Sequence, residues 1–500
     1  MSDPFLHVYN GQAFDAADCP VLPVEQFRDS VILQTAVGAR LAALFAQPFG
    51  DGAPRLVAVL ARAGQGDLAV ASALVDRQYP ALTPVCESAH WFEREIAEQW
   101  GIRPVGHPWL KPIRFQPPRC AAGLWPAAKI GVTDFFSMEG EEVHEVAVGP
   151  VHAGIIEPGH FRFQCHGETV YHLEISLGYQ HRGVERALVG GPDKRTVHYI
   201  ETLAGDTTIG HAHAYCRAME SLTRTRVTPR AQVIRGVAAE LERIANHIGD
   251  LGALSGDVGF LPTQSYCGRI RGDVLNLTAL VCGNRFGRGL LRPGGVAFDI
   301  DADMVGQMLD RLAVIGKDAR VAVELLWNTP SVTARFDDTG KISHELCRRI
   351  GLVGVAARAC GSEHDTRWDF PYGIYRFAQI PVSTWNTGDV FARAFVRWLE
   401  VQRSLAFVRE QLESLPDGPI REPLGPMAEG QMAVALVEGW RGAICHVVQT
   451  GAAGKFAFYK VVDPSFLNWF GLACVLRDQQ ISDFPLCNKS FNLSYCGHDL

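Results

Sequence analysis

The sequence predicts an α+β protein in which a small N-terminal α+β domain precedes a larger helix-rich domain. Three observations support this prediction. The 500 residues show no internal repeat and are 47% hydrophobic, which is enough for two sizeable cores. A proline-, alanine- and glycine-rich stretch follows residue 115. Beyond it, long segments repeat apolar residues every three or four positions, as amphipathic helices do. We therefore place the domains at 1–115 and 133–500, with a linker at 116–132.

The N-terminal domain is predicted to combine strands with one helix. Short apolar runs at 31–33 and 56–61 predict strands, and the glycine-containing turn 63–67 predicts a hairpin after the second run. A helix is predicted over 88–100, because large apolar residues recur there on one helical face. The linker is assigned because successive prolines cannot continue a helix or a central strand. Its characteristic residues are Pro117, Pro118, Ala121, Ala122, Gly123 and Pro126.

The large domain is predicted to open with strands and to continue with long helices. Alternation over 143–148 predicts a strand, and 148–186 is typical of a loop, two strands with a turn between them, and a basic turn. Helices are predicted over 230–254, over 301–327 and from Asp389 onward.

The helix at 230–254 is the clearest local prediction. Apolar residues recur at spacings of three and four and predict its buried face: Val237, Leu241, Ile244, Ile248 and Leu251. The charged residues between them are expected on the solvent side: Glu240, Glu242, Arg243 and Asp250. His247 lies among the apolar residues, and we interpret it as a hydrogen-bonded structural histidine rather than a ligand.

Composition excludes several classes of function. A formal net charge of −7 and the lack of any basic run argue against nucleic acid as a partner. No stretch approaches eighteen uncharged apolar residues and no signal peptide opens the chain, so we expect a soluble, cytoplasmic protein that can dock on a membrane complex. The thirteen cysteines include no C-x-x-C spacing, so we expect reduced, buried thiols. Cys487 and Cys496 could meet in space, with a structural role.

The segment 181–220 carries the strongest functional signal. It contains a basic turn and then the run Glu201-Thr-Leu-Ala-Gly-Asp-Thr-Thr-Ile-Gly-His211, which leads into a predicted helix. This run, the helix phrase AAELERIANHIGDLGAL and the run SAHWFEREIAEQWGIRPVGHPWLKPIRF resemble the large subunit of membrane-bound nickel–iron hydrogenases of the formate hydrogenlyase and hydrogenase-4 type. They also resemble the quinone-site subunit of respiratory complex I. The order of the two domains resembles the fused form, in which the accessory domain of complex I precedes the large domain.

The resemblance fails where the hydrogenases hold their metals. Their segment reads Glu-Arg-x-Cys-Gly-x-Cys-x-x-x-His, and a second one reads Asp-Pro-Cys-x-x-Cys. Here Ala204 and Thr207 occupy the first cysteine pair, and Ser465 and Asn468 occupy the second. Alanine offers no donor atom, and neutral hydroxyls and amides are poor nickel ligands beside thiolate. We therefore expect no Ni–Fe centre and no other cofactor in this chain, with an iron–sulfur cluster in a partner subunit.

The proton-donating residues of complex I are also replaced. In that family a histidine and a tyrosine contact the quinone headgroup, and the alignment of the motifs places Ile156 and Gly205 at those positions. Neither side chain can donate a proton, which argues against ordinary quinone reduction here. A glycine-rich dinucleotide fingerprint is missing as well, so we do not expect the chain itself to bind NADH.

What remains is a group of polar residues that the resemblance brings to the old cavity. Glu157 and His160 match the family's proton-relay element. The full set is His152, Glu157, His160, Asp206, Thr207, His211, Asp463 and Ser465. Carboxylates and imidazoles in a partly dry cavity have shifted pKa values and can pass protons. Our candidate proton-relay residues are Glu157, His160, Asp206, His211 and Asp463.

The resemblance thus implies a subunit of a complex-I-like, hydrogenase-4-like oxidoreductase related to NADH:quinone oxidoreductases. Such a subunit takes part in electron transfer coupled to proton or ion translocation. The expected partners are an iron–sulfur small subunit and membrane antiporter-like subunits, at the cytoplasmic face of the inner membrane. Two alternatives stay open: a catalytically retired scaffold that docks an iron–sulfur partner, and an active nickel–iron hydrogenase.

Overall fold

The computed structural model describes residues 3–49, 53–120, 123–125 and 128–500. Ala121, Ala122 and Pro126 of the predicted linker lie outside the described residues. The described linker residues 116–120 and 128–132 contain no helix or strand. The predicted α+β class is confirmed, because antiparallel sheets and long helices occur together.

The N-terminal part is built on a mainly antiparallel sheet with helices packed on it. Its elements are β1 Leu6–Val8, β2 Ala13–Asp15, β3 Val21–Leu22, α1 Val24–Ala36, β4 Arg40–Phe49, β5 Ala53–Arg62, β6 Asp67–Leu74, β7 Gln78–Pro80, α2 His90–Trp100 and β8 Arg103–Val105. The sheet order is β1-β6-β5-β4, with β3 paired in parallel to β6. The predicted hairpin is confirmed, since Arg62 pairs with Asp67 across its turn. The helix predicted over 88–100 is confirmed as α2 with a preceding 3₁₀ turn.

The strand predicted at 31–33 is wrong, because these residues lie inside α1. Phe27 and Val31 are four residues apart, and both are buried on the face that packs on the sheet. Leu33 points to solvent and is 57% exposed. The three consecutive apolar residues therefore belong to a helix. The burial of Phe27 and Val31, which lie on the same helical face, favours the helix over a strand.

The large domain follows with three strands, a series of helices and a second sheet. Its first elements are β9 Val143–Val148, β10 His160–His166, β11 Thr169–Ser176, α3 Val184–Leu188, α4 Thr196–Ile200, α5 Thr208–Leu222, α6 Pro229–Asp257, α7 Leu261–Cys282, β12 Leu291–Arg292 and β13 Gly295–Val296. The rest are α8 Ala302–Trp327, α9 Pro330–Phe336, α10 His344–Ile350, α11 Gly354–Arg358, α12 Thr366–Asp369, α13 Val390–Glu413, β14 Gln431–Gly439, β15 Gly442–Thr450, β16 Phe456–Val462, α14 Pro464–Val475, α15 Phe484–Phe491 and α16 Tyr495–His498.

The predicted long helices and the strand at 143–148 are confirmed. The helices α8 and α13 begin where aspartate side chains, Asp301 and Asp389, accept a hydrogen bond from a first-turn N–H. In the described part of the chain, no helix is long and apolar enough to cross a membrane.

A four-stranded sheet ties the N-terminus to the large domain. Its order is β16-β15-β14-β2, so the N-terminal strand β2 pairs antiparallel with β14, with Ala13 opposite Ala433. Residues of β14 to β16 contribute to both hydrophobic cores. The division of the chain at 115 stays a prediction. The sheet brings residues that follow β16 close to the beginning of α5, where the candidate site lies.

The charged residues of α6 correct the sequence prediction. Glu240, Arg243 and Asp250 are buried, and only Glu242 of the four is partly exposed. Arg243 forms ion pairs with Glu240 at 3.1 Å and with Glu400 of α13 at 3.2 Å. Because α6 packs against α7 on one side and α13 on another, most of its surface is covered. Buried charges of this kind persist only when they are paired.

Candidate functional site

A buried histidine–aspartate pair forms the centre of the candidate site. Asp463 directly follows β16 and caps α14, and its Oδ1 accepts the backbone N–H of Ser465 at 2.7 Å. His211 lies in the first turn of α5, and its Nε2 is 2.9 Å from Oδ2 of Asp463. The two side chains are 0% and 1% exposed. The end of β16 and the beginning of α5 therefore hold Asp463 and His211 together in the protein interior. Their interaction is strong there because water is excluded.

The pair continues into a chain of hydrogen-bonded side chains. Nδ1 of His211 lies 3.1 Å from Nε2 of His446 in β15, and Nδ1 of His446 lies 2.9 Å from the Tyr459 hydroxyl in β16. If Tyr459 donates to His446, then His446 donates to His211 and His211 donates to Asp463, so one proton arrangement satisfies every contact. Burial and the neighbouring His211 hold the pKa of His446 well below its ordinary value, so His446 is neutral.

The charge of Asp463 is stabilised from two sides. Burial alone raises the pKa of this carboxyl, but the hydrogen bond and charge of His211, the charge of Arg441 and the Ser465 N–H outweigh burial and lower it. The helix α16 closes over the carboxylate at Gly497, where a methyl group would come within 2.7 Å of it. The site therefore tolerates only glycine at that contact.

Asp206 and Arg441 form the outer end of the site. Two guanidinium nitrogens of Arg441 donate to the two Asp206 oxygens at 2.6 and 2.8 Å, and the guanidinium lies 3.9 Å from the centre of the Trp440 ring. Burial raises the pKa of Asp206, but the charge and hydrogen bond of Arg441 outweigh it and hold the pKa low. The Asp206 side chain is 35% exposed, whereas Arg441 is buried. The charge of Arg441 also acts on Asp463, so the Asp206–Arg441 pair is coupled electrostatically to the buried pair.

Glu157 lies on the other side of α16. Its Oε2 accepts the backbone N–H groups of Tyr495 at 3.1 Å and Cys496 at 3.5 Å. Burial raises the pKa of the Cys496 thiol to about 11, so the thiol is protonated at neutral pH. Glu157 thus holds the segment that covers Asp463, and it is joined to His211 only through that segment.

His160 and His152 belong to the hairpin of β9 and β10 rather than to the buried chain. The Nε2 of His160 accepts from Arg162 at 3.3 Å, and burial lowers its pKa. His152 Nε2 is 2.9 Å from the carbonyl oxygen of Gly159 and holds the loop in shape. Among the five candidate relay residues, the structure brings Asp206, His211 and Asp463 together, places Glu157 behind α16, and leaves His160 apart.

Glu242 is a member of the site that the sequence did not indicate. The start of α5 has no side-chain cap of its own, and Glu242 of α6 accepts the N–H groups of Ile209 at 2.7 Å and Gly210 at 3.1 Å. Burial is the main reason that its pKa rises to about 8, and the charge of Asp206 adds to the shift. The lack of a capping side chain at the start of α5 could have indicated such a residue, because the free N–H groups of a first helical turn need an acceptor from another part of the chain. The roles of Arg441 and His446 were also missed.

The thiols are free and mostly buried. Twelve of the thirteen cysteines are buried, Cys120 is half-buried, and none forms a disulfide. Cys347 and Cys360 are hydrogen-bonded to each other. Cys487 packs beside Gly340, whereas the Cys496 thiol contacts Ser494. The possible meeting of Cys487 and Cys496 is therefore not seen.

Comparisons with known proteins match both parts of the chain. The family model described as respiratory-chain NADH dehydrogenase, 49 Kd subunit, matches residues 257–426, and the 30 Kd subunit model matches 51–123. The carbon monoxide-induced hydrogenase of Rhodospirillum rubrum is 32% identical over 70% of this chain and 97% of its own length. The chain belongs to the family of complex I 49 Kd subunits and group 4 hydrogenase large subunits. This confirms the resemblance seen in the motifs.

Two other relatives match a larger share of this chain. Formate hydrogenlyase subunit 5 of Escherichia coli is 28% identical over 84% of this chain and 76% of its own length. Hydrogenase-4 component G of the same organism is 29% identical over 85% of this chain and 77% of its own length. The chain is thus a complex-I-like, hydrogenase-4-like subunit related to the subunits of hydrogenlyases and NADH-quinone oxidoreductases.

The residues at the hydrogenase ligand positions do not fit a nickel–iron centre. Thr207 Oγ1 accepts from Trp440 at 3.1 Å and from Arg441 at 3.3 Å. Ser465 Oγ accepts from Ser494 at 2.9 Å, and the Asn468 amide bonds both ways to the backbone of Val353. Ala204 has no donor. These polar atoms are thus all engaged within the protein, and the soft thiolates that such a centre requires are replaced.

The two positions that face quinone in complex I lie at the surface of this chain. Ile156 is on the exposed loop between β9 and β10, and Gly205 is exposed with open space where a side chain would project. Neither position offers a proton donor. The side chains that adjoin these positions are His152, which pairs with Ile156, and Asp206, which follows Gly205 in the chain.

Proposed function

We propose that this chain is a proton-handling subunit of a membrane-associated, complex-I-like oxidoreductase and works without a nickel–iron centre of its own. The observation that carries the proposal is the buried chain Tyr459–His446–His211–Asp463, which adjoins the surface through Arg441 and Asp206. A chain of hydrogen-bonded donors and acceptors in the protein interior can transfer a proton over several side chains, because each proton moves only across its own hydrogen bond.

Each residue of the site has a distinct part in this proposal. His211 takes up a proton, and Asp463 stabilises the resulting charge at 2.9 Å. The neutral His446 accepts or returns the proton on the inner side. Glu242 exchanges protons at the outer side, since its pKa lies near neutrality, and the partly exposed Asp206 carboxylate, which Arg441 keeps ionised, supplies negative charge there.

The proposed partners are an iron–sulfur small subunit and antiporter-like membrane subunits, with this chain at the cytoplasmic face of the inner membrane. The relatives support an assembly, because they are named as subunits or components. The loop between β9 and β10 offers a contact surface: Val151 is 73% exposed and Ile155 is 86% exposed. Exposed apolar residues on one loop are typical of an interaction site.

A scaffold role is the second candidate, and one observation favours it. The polar atoms at Thr207, Ser465 and Asn468 are hydrogen-bonded inside the protein and offer nothing to a ligand. A subunit whose cavity has been refilled in this way needs only to hold its iron–sulfur partner in place. In that case the charged residues at the outer end of the site would be dispensable for turnover.

The first experiment measures nickel and iron in the complex purified through a tag on this chain. We expect iron from the partner and no stoichiometric nickel. Nickel at about one per complex would restore a hydrogenase with unusual ligands and would contradict the proposal.

The second experiment separates proton handling from scaffolding. Asp206→Asn keeps the shape of the side chain and removes its charge beside Arg441. We expect turnover of the intact complex to fall at least about tenfold, which corresponds to about 1.4 kcal/mol of barrier. Asp310→Asn, at an exposed position of α8, is the matched control. Equal turnover of both variants in fully assembled complexes would favour the scaffold.

A further inference from the structure

A cavity of about 930 Å³ lies away from the candidate site. Its walls are the second half of α5 with the loop 223–227, the N-terminal segment 9–11, and the loop 370–376. None of the candidate relay residues lines it. Its volume lies within the range of small-molecule binding sites, which is about 300–1,000 Å³.

The charge of this cavity is strongly positive. Among the residues that the structure describes, five arginines line the cavity and Glu220 is the one carboxylate in the lining. Arg235 donates to Glu220 through two nitrogens, at 2.5 and 3.1 Å. The other four have no ion-pair partner among the described residues: Arg217, Arg224, Arg226 and Arg376. Four uncompensated guanidinium groups around one cavity create a site for a multiply charged anion.

Arg217 and His213 show that the inner wall has unused polar atoms. Arg217 is half-buried; one nitrogen donates to the carbonyl oxygen of Asn10 at 3.0 Å, its Nε is buried without a partner, and burial lowers its pKa to about 10. Nδ1 of His213, a side chain that is 3% exposed, is also without a partner. Buried polar atoms without partners are unfavourable, and a ligand that bonds to them removes this penalty.

Aromatic rings border the basic groups. The Arg217 guanidinium lies 5.0 Å from the centre of the Tyr372 ring, and Phe370 forms the adjoining wall. Tyr9 stands at the rim with 71% of its surface exposed. Rings beside guanidinium forks provide stacking surface for a planar group next to the place where its charges are bound.

We propose that this basic cavity binds an organic di- or triphosphate of nucleotide size. Its phosphate groups would contact Arg217, Arg224 and Arg376, because guanidinium forks match phosphate oxygens. Its organic part would lie against Tyr9 and Phe370. The site shares no residue with the proton-handling cluster, so it stands independently of the proposed function. The site also uses no glycine-rich fingerprint, so no motif in the sequence points to it.

The test measures binding of ATP, pyrophosphate and citrate to the complex purified through the full-length chain, by isothermal titration calorimetry at two salt concentrations. Saturable ATP binding that weakens with salt is expected. Arg376→Gln and Arg224→Gln, both at exposed positions, should each weaken ATP binding at least about tenfold, as loss of a charged hydrogen bond does. Arg320→Gln, at an exposed position of α8, is the matched control and should leave binding unchanged.

Further arms identify the ligand class. Pyrophosphate should bind more weakly than ATP, and Tyr9→Ala should remove most of that difference. The proposal is overturned if ATP shows no saturable binding up to millimolar concentration, or if citrate binds more tightly than ATP. It is also overturned if Arg320→Gln weakens binding as much as the cavity variants do. Loss of a partner subunit from the Arg376→Gln complex, without any ATP binding in the wild type, would assign the cavity to a protein interface instead.

Discussion

Glu242→Gln isolates the one carboxyl in the candidate site that is expected to titrate near neutral pH. Glutamine keeps one of the two oxygens that accept the Ile209 and Gly210 N–H groups, so the start of α5 stays partly capped and one N–H loses its acceptor. That lost hydrogen bond lowers the free energy of unfolding equally at every pH. The pH-dependent difference from wild type therefore reports the ionisation of Glu242, whose pKa burial raises from 4.5 to about 8.

The magnitude follows from the shift. Each pKa unit corresponds to about 1.4 kcal/mol, so a shift from 4.5 to about 8 amounts to about 4–5 kcal/mol when the group is fully ionised. Glu242 is partly exposed, and solvent screening reduces the expected effect to about 2–3 kcal/mol.

The direction follows from proton binding. In the folded protein Glu242 keeps its proton up to about pH 8, whereas the unfolded chain releases it near pH 4.5. Between these values unfolding releases a proton, so the Glu242 contribution makes the protein less stable as pH rises through this window. The glutamine variant lacks this loss. The difference in free energy of unfolding, variant minus wild type, should therefore be about 2–3 kcal/mol more positive at pH 8.5 than at pH 5.

Two measurements check this result. Urea denaturation at both pH values compares wild type, Glu242→Gln and the control Glu324→Gln, which replaces an exposed residue of α8. Infrared titration should show a protonated-carboxyl band that disappears around pH 8 in the wild type and is missing from Glu242→Gln. A wild-type protein without such a band at pH 6.5, or an equal stability difference at both pH values, would refute the assignment of a raised pKa to Glu242.

The remaining predictions concern the buried pair. Asp463→Asn leaves His211 without its charged partner, so it should lower the free energy of unfolding by about 1.5–3 kcal/mol and reduce turnover. Urea denaturation measures the first effect, and turnover of the purified complex measures the second. No change in either would contradict the role of the pair. Gly497→Ala brings a methyl group within 2.7 Å of the Asp463 carboxylate and should reduce turnover in an assembled complex, whereas Gly205→Ala projects into open space and should not. Equal turnover of the two alanine variants would show that the closure over Asp463 has no functional effect.

The long helices and the first strand of the large domain could be predicted because their signals are local. Apolar spacing of three and four identifies α6, α8 and α13, and Asp301 and Asp389 act as caps where the sequence places them at helix starts. The alternation over 143–148 identifies β9 for the same reason.

The burial of charged residues could not be predicted, because it depends on partners far along the chain. Arg243 contacts Glu400, which is 157 residues away, and both are buried between α6 and α13. A periodic pattern assigns charged positions to solvent by default. It cannot show that a second helix brings opposite charges to the same face. The same limit applies to Val31, whose burial against the sheet decided between helix and strand.

For the candidate site, the motifs located residues but not their connections. His211 and Asp463 stand at helix starts in recognisable motifs, and they were expected to share a cavity. Their hydrogen bond and its continuation to His446 depend on the pairing of β15 with β16, which the motifs do not show. Arg441 lies in the tight turn between β14 and β15, where no sequence signal marks it as the partner of Asp206.

The charge balance of the site explains how it can persist without the family's metal ligands. In the hydrogenases the metal ions balance the negative charges of four thiolates. All four ligand positions are neutral here, so the thiolate charges are missing along with the thiolate ligands. The remaining charges are those of Asp206, Asp463 and Arg441, which leave one excess negative charge in a largely buried cluster. A single proton shared by His211 and Asp463 makes the cluster neutral. Uncompensated buried charge is strongly unfavourable, so under the proposed proton-handling role the uptake of one proton would bring this site to neutrality. The same electrostatic penalty applies in a scaffold, but there the charge removed by Asp206→Asn would change stability and would not affect turnover.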